Sequence, residues 1–412
     1  MMTRPIAVAL HDGFYGCGTG AGLCNWSLMS VLAHRYPHAR FRLMPIGLSG
    51  ASHEHDAHWF RTTGRLWAGR DVVIDPVDNA TGNTTRFGVL DNFQAASSDA
   101  SHRLNRLTGA DRPGLILASD APFHGIGVHL EPELAARTLL IPHSTGALHD
   151  PENRDRVRFE HEGFIELCRR GGKVAAISAH MRSHLAADYA VPKSALIDLP
   201  NGLAHEPASG PTPDLPPPAR EGFVLAMGRA TPYKGFEDLL RALHLLRQSR
   251  FPVPHLLLAA VTETAEPTAY QRHLANLATQ LDIPTTVWTR FDPALRGLYA
   301  DPALRAVVVP SHAEPYGRIP LEAYAAGAGP VVATTAGGLA DLVVDGVTGF
   351  SAPPEDPRGL AAALHQALTL SPAHRSAMTV AARTLGSRHD YDRTVTTVVE
   401  TLAPWLGRRE LS

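Results

Sequence analysis

The sequence predicts an α/β protein of two doubly wound, Rossmann-like domains facing each other across a cleft. Short apolar runs alternate with amphipathic stretches almost throughout, the pattern of buried parallel strands with helices on both faces. A proline-rich break divides that alternation into two series. The 412 residues, 44% of them hydrophobic, are long for one domain and sufficient for two separate cores.

In chain order, "IAVAL", "FRLMPIGL", "DVVID", "GLILASD", "RTLLIPH", "KVAAIS" and "ALIDLPNG" read as strands of a domain over residues 1–204. The stretch 205–220 holds six prolines and no apolar periodicity, so it reads as a linker. "FVLAMG", "HLLLAAV", "TTVWTR", "RAVVVPS" and "GPVVATT" then read as strands of a second domain over 221–389. Between them, "EDLLRALHLLRQ" and "PRGLAAALHQALTL" have helical spacing. A last helix within 390–412 is expected to pack back on the first domain.

Composition excludes several classes. A formal net charge of −2 gives no footprint for nucleic acid or an anionic membrane. No run of about 18 apolar residues exists, and the start, "MMTRPIAVAL", leads straight into a strand, so neither a span nor a signal peptide is expected. Cys17, Cys24 and Cys168 lack metal-type spacing and read as reduced thiols of a cytoplasmic protein. Only Lys173, Lys193 and Lys234 are lysines; the arginine-rich, alanine-rich bias has the stamp of a GC-rich bacterial genome.

After the first strand comes "HDGFYGCGTGAG", residues 11–22, which fits the G-x-G-x-x-[GA] dinucleotide fingerprint. That fingerprint also requires an acidic residue at the end of the following strand, to bind ribose hydroxyls. Here that end is Gly47-Leu48-Ser49-Gly50, and Glu54 arrives well past it. The loop is therefore not a dinucleotide site. It is expected to bring backbone close to a ligand, with Gly18 and Gly20 toward a donor and Gly16 toward an acceptor. A glycine-rich turn with no ligand is the alternative.

The second domain carries sharper chemistry. Its first strand ends in "AMGRATPYKGFEDLL", where Arg229 and Lys234 precede a helix beginning near Phe236. Cations at a helix start are disfavoured by the dipole unless an anion joins them, which points to a diphosphate clamp. Further on, Glu314 and Glu322 flank "PYGRIPLE", a loop turning into a helix. Gly317, Arg318 and Ile319 lie where free N–H groups of a helix start bind phosphate, and Leu321 next to them is a further donor-binding candidate. Glu322 is suited to vicinal hydroxyls, with dipole-favourable surface placement as its alternative.

E-x7-E from Glu314 to Glu322, followed by "GPVVATTAGGLADLVVDGVTG", resembles the retaining GT-B glycosyltransferases of the glycosyltransferase 4 family. "GRATPYKG" is similar to that family's G-R-x3-x-K-G element, and "AISAHMRSHLAADYAVPKSALIDLPNG" to the segment closing its N-terminal domain. The resemblance is strongest over about residues 174–352. It implies a nucleotide-diphosphate sugar as donor, with no cofactor and no metal. Arg229 and Lys234 would hold the diphosphate, Glu314 the sugar hydroxyls and Glu322 the ribose. Gly317 to Ile319 would face the phosphates, and Gly337 and Gly338 would let a loop pass close by. In "LLIPHSTGALHD", His143 matches the family's sugar-facing histidine, with His149 as its rival. Glu160 is similar to a helix glutamate near the acceptor, with Glu162 as its rival.

Two departures stand out. Arg290 in "VWTRFDP" replaces a family glycine where the nucleobase would lie, and either stacks on the base or is a surface residue. Asp390 and Asp392 form a D-x-D, but directly before the last helix, where N-capping is expected instead of metal binding. The implied activity is retaining transfer by front-face substitution to a small soluble acceptor such as an aminocyclitol or other natural-product intermediate. Asn83 and Arg86, in the polar stretch 75–94, are candidate acceptor contacts. A GT-B nucleotide-sugar epimerase and a non-catalytic nucleotide-sugar-binding protein are the competing functions.

Overall fold

The structure is a computed structural model that describes residues 4–48, 52, 54–81, 89–204, 212–262, 266–290 and 292–406. It divides into two compact units, Met1–Glu206 with Asp390–Ser412, and Pro207–His389. Asn83, Arg86 and the first part of the proline-rich stretch lie outside the described residues. That stretch ends in a 3-10 turn, Pro217–Glu221, whose Ala219 is fully buried in the second unit.

The first unit is built on seven parallel strands: β1 (Ile6–Leu10), β2 (Phe41–Pro45), β3 (Val72–Ile74), β4 (Leu115–Ser119), β5 (Thr138–Ile141), β6 (Lys173–Ala176) and β7 (Leu196–Asp198). They are ordered β3-β2-β1-β4-β5-β6-β7, with Val8 paired to Leu43 on one side and Leu117 on the other. β1 and β4 are buried at every residue, which is why they read as uninterrupted apolar runs rather than alternating ones. β3 is an edge strand only three residues long, and its Val73 and Ile74 are exposed. The short length limits its use as a pairing template.

The second unit has six strands: β8 (Phe223–Arg229), β9 (His255–Thr262), β10 (Thr285–Arg290), β11 (Leu304–Val309), β12 (Val331–Thr334) and β13 (Gly349–Ala352). Their order is β10-β9-β8-β11-β12-β13, again all parallel. β13, "GFSA", had no signature in the sequence. Helix Phe236–Gln248 buries Leu239, Leu240, Leu243 and Leu246 against Leu256, Leu258 and Val308 of the sheet. Helix Pro357–Leu368 adds Leu360 and Leu364 to the same core. Truncating one of these leucines to alanine costs about 2–5 kcal/mol.

Both sheets reverse their order once, between β1 and β4 and between β8 and β11. Loops leaving the carboxyl ends of strands at such a switch point diverge and leave a crevice for ligands. The segments after β1, β4, β8 and β11 are therefore where functional side chains belong.

The last helix, Tyr391–Leu402, lies in the first unit beside helix Gly20–Arg35. Asp390 caps it by accepting from Arg393 N, and Asp392 pairs with Arg35 at 2.6 Å. Both aspartates of the D-x-D thus have structural partners.

Candidate functional site

At the second unit's switch point, β8 delivers Arg229 as its last residue. The turn Pro232–Lys234 and Gly235 follow, and then the helix from Phe236. Gly235 is in the left-handed region at φ 67°, and a Cβ there would meet Pro310 O at 1.9 Å, so only glycine permits this approach to the loop after β11. That closeness brings Lys234 Nζ onto Glu314 Oε2, which also accepts from Ser311 Oγ at 3.2 Å. Arg229 donates to Tyr233 OH at 2.6 Å, and Arg229 and Lys234 both lie by the Tyr233 ring, 5.9 and 5.6 Å from its centroid. His312 ties the same loop down, its Nε2 2.7 Å from Asp238 Oδ2 and its N–H donating to Tyr233 O.

The loop then turns into helix Arg318–Ala326, with Gly317 at φ 94° as N-cap and no side-chain cap on its first N–H groups. A Cβ on Gly317 would lie 2.5 Å from Leu339, and one on Gly338 would lie 2.6 Å from Tyr316 Cα. Gly338 N donates to Glu314 O at 2.8 Å, which binds the loop after β12 to the same cluster. Pro320, in the first turn, has no N–H, so the backbone donors of this helix start are those of Gly317 to Ile319. Two predicted residues fit less simply. Leu321 is 1% exposed and packs inward, which leaves only its backbone for any ligand. The Arg318 side chain is held back on Glu322, Nε to Oε1 at 3.3 Å. Glu322 also accepts from Tyr299 OH at 3.4 Å, and burial followed by that carboxylate drives the phenol well above its ordinary range. Arg290 ends β10, two strands away from β8, and is exposed.

In the first unit, the glycine loop wraps a buried carboxylate. Asp12 accepts from Gly13 N at 2.7 Å, Gly18 N at 3.1 Å and Thr19 Oγ1 at 2.8 Å. A Cβ on Gly22 would strike Asp12 Oδ2 at 2.3 Å, and one on Gly16 would strike Glu54 O at 2.2 Å. Gly16 and Gly22 therefore serve close internal packing, Gly16 against Glu54 and Gly22 against Asp12. At Gly18, a candidate donor contact, the backbone N–H is engaged by Asp12. Burial pushes the Asp12 carboxyl up, against His11 and these three donors.

His143 follows β5, with Nε2 3.2 Å from Ser119 Oγ and Nδ1 3.4 Å from Asn201 Nδ2. Beside it, His11 Nδ1 lies 3.1 Å from Asp120 Oδ2. Asp120 has φ 78°, a strained conformation for a residue other than glycine. Burial raises its carboxyl, but the His11 hydrogen bond and the charges of His11, His143 and His124 outweigh that and hold it far below the usual range. His11 and Asp120 were missed in the sequence. The signal was present: each is the first polar residue past the carboxyl end of a buried strand at the switch point.

Glu160, the candidate acceptor contact, lies in the interior of the first unit. Its side chain is fully buried, and its oxygens are taken by Gly146 N, Tyr189 OH and Arg156 Nε, with His124 close by. Its rival Glu162 is exposed. No group of His, Cys, Asp and Glu that could hold a metal occurs among the described residues. No helix among them is long and apolar enough to cross a membrane.

Residues 213–385 match the family described as glycosyl transferases group 1. Among curated proteins, the chain is 40% identical over 106 residues to glycogen synthase of Mycobacterium tuberculosis, covering 26% of this chain and 25% of that one. It is 36% identical over 173 residues to D-inositol 3-phosphate glycosyltransferase of Kineococcus radiotolerans, covering 39% of each. The matches span from a quarter to under half of these relatives. Among solved structures, sucrose-phosphate synthase from Thermosynechococcus elongatus superposes with a TM-score of 0.74 at 19% identity, over 98% of this chain and 99% of that one. Anabaena HepE in complex with UDP-glucose does so with a TM-score of 0.68 at 18% identity, over 97% and 99%. The two-sheet fold is that of these GT-B proteins.

Proposed function

We propose that this chain, whose residues 213–385 match the glycosyl transferases group 1 family, is a retaining glycosyltransferase. Its donor is a nucleotide-diphosphate sugar and its acceptor a small soluble molecule, an aminocyclitol or similar natural-product intermediate. The observation that carries this is the convergence of Arg229, Lys234, Glu314 and the Gly317 helix start at one switch point. Two cations and a set of oriented N–H groups suit a diphosphate, and an adjacent carboxylate suits sugar hydroxyls.

In the proposed reaction the bond from the anomeric carbon to the diphosphate oxygen breaks first, through an oxocarbenium-like ion pair. The acceptor oxygen attacks the same face, and the leaving phosphate oxygen takes the acceptor proton. Arg229, Lys234 and the backbone N–H groups stabilise the charge growing on that phosphate, an electrostatic contribution worth several kcal/mol in comparable sites, on the order of 3 per donor. Glu314 orients the sugar, Glu322 the ribose, and His143 meets the transferred sugar. Arg290 would read the base.

The test is to measure binding of UDP, GDP and ADP in parallel, then follow hydrolysis and transfer from the preferred nucleotide's sugars. Tight binding with anomer-retaining transfer is expected. Interconversion of the nucleotide sugar without an acceptor would identify an epimerase. Binding with no turnover on any acceptor would leave a binding protein.

A further inference from the structure

We propose that Glu160 is a positioning residue, the buried hub that fixes the turn carrying His143. This rests on the reading of His143 as the group that meets the transferred sugar. The turn after β5 runs through Ser144 and Thr145 into Gly146 and Ala147, and side chains of helix Arg154–Arg169, of helix Ala179–Ala187 and of the bend after it hold it at three successive residues. Gly146 N donates to Glu160 Oε2 at 2.7 Å. Ala147 N donates to Tyr189 OH at 3.1 Å, and that hydroxyl in turn donates to Glu160 Oε2 at 2.5 Å. Thr145 Oγ1 lies 2.7 Å from His184 Nε2, whose Nδ1 is set by Asp188 at 2.6 Å.

Glu160 can do this only as an ion whose charge is compensated, because an unpaired buried carboxylate is prohibitively costly. Compensation comes from Arg156 Nε, 3.1 Å from Oε1, and His124 Nδ1 lies 3.3 Å from the same oxygen. The helix Arg154–Arg169 reaches His124 because Gly163 has no side chain; a Cβ there would lie 1.9 Å from His124 O. Gly146 likewise admits Arg156, whose Cγ would be 3.1 Å from a Cβ at that position. The compensated charge thus sits directly under the turn and terminates its backbone N–H. A displacement of His143 by about 1 Å is enough to cost roughly a hundredfold in turnover.

The experiment compares Glu160→Gln, Tyr189→Phe and His143→Ala in the full chain. It uses steady-state kinetics with the preferred donor and the NMR signals of 13C-labelled histidine in the ligand-free protein. Glu160→Gln keeps the shape but puts an amide donor where one carboxylate oxygen accepted beside Gly146 N. In that variant kcat should fall about a hundredfold, while KM for the donor stays within about twofold and the His143 signal shifts. A purely structural role would lower the melting temperature but leave kcat per folded molecule and the His143 signal unchanged, and that result overturns the proposal. Tyr189→Phe removes one partner and leaves the charge, and serves as the independent variant if Glu160→Gln does not fold. A shifted His143 signal with full turnover in His143→Ala would show that the turn is positioned by Glu160 but that the sugar-facing role of His143 is wrong. An unshifted signal with an inactive His143→Ala would overturn the positioning alone.

Discussion

Lys234, in the turn after β8, and Glu314, in the loop after β11, form an ion pair, with each side chain about 15% exposed or less. The cation assigned to the diphosphate and the carboxylate assigned to the sugar therefore compete for each other as well as for a donor. Under the proposed function, a diphosphate that drew Lys234 away would release Glu314 to accept hydroxyls, so one exchange of partners would ready both groups.

Lys234→Ala is expected to reduce kcat by about a hundredfold or more, the scale of losing one charge-stabilising donor. Lys234→Arg should recover part of it, since its charge persists but its fork cannot occupy a single-point contact in the same way. Steady-state kinetics with the preferred nucleotide sugar checks this. Wild-type turnover in Lys234→Ala would refute the clamp.

Gly235→Ala should destabilise the second unit and impair donor binding together. Its φ of 67° and the 1.9 Å approach to Pro310 O allow no side chain, and strain of this kind costs at least about 1–3 kcal/mol. Urea unfolding gives the stability loss, and nucleotide titration gives the binding loss. A variant as stable as the parent would show that the loop relaxes freely.

Glu160 also predicts the acid limb of stability. Burial raises its carboxyl, but His124 and Arg156, with the Tyr189 hydroxyl, outweigh burial and bring it down to about 2 from the ordinary 4.5. A depressed value stabilises the fold at pH above the unfolded value, and that stability is lost as pH falls through the folded value. Stability should therefore decline between about pH 4.5 and 2, and Glu160→Gln should decline less steeply over that window. Chemical unfolding at a series of pH values measures both slopes, and parallel slopes would count against an ionised Glu160.

Activity should be indifferent to EDTA and unaffected by added magnesium or manganese. Asp390 spends its side chain on Arg393 N, and Asp392 on Arg35. Asp390→Ala should instead cost about 1 kcal/mol, the worth of an N-cap, with turnover kept. A chelator-sensitive transfer would overturn the metal-independent mechanism.

The sequence made the alternation of strands and helices plain because β1 and β4 are buried at every residue, and the first four residues of β8 and the last four of β11 are buried apolar runs. β13 was invisible because "GFSA" is short and mixed, and its strand character comes from pairing with β12. Arg229, Lys234, Glu314 and Gly317 could be placed because strand ends and a helix start fix them locally. Glu160 was misjudged although its spacing held the clue. Arg156, Glu160, Gly163, Phe164 and Leu167 share one buried helix face, while Glu162 falls on the other. What no pattern revealed was the partner set, since Tyr189, His184 and His124 reach Glu160 and its turn from other elements.

The wrapping of Asp12 by the loop after β1 sets limits for anyone wishing to redesign that loop. Gly13, Gly16 and Gly22 each have backbone or a carboxylate within 2.3 Å of where a side chain would begin. A mutant library that randomises the whole loop would spend most of its members on unfolded chains. Gly20 meets nothing within 4 Å, so it is the place on that loop where diversity is tolerated and new side chains reach outward.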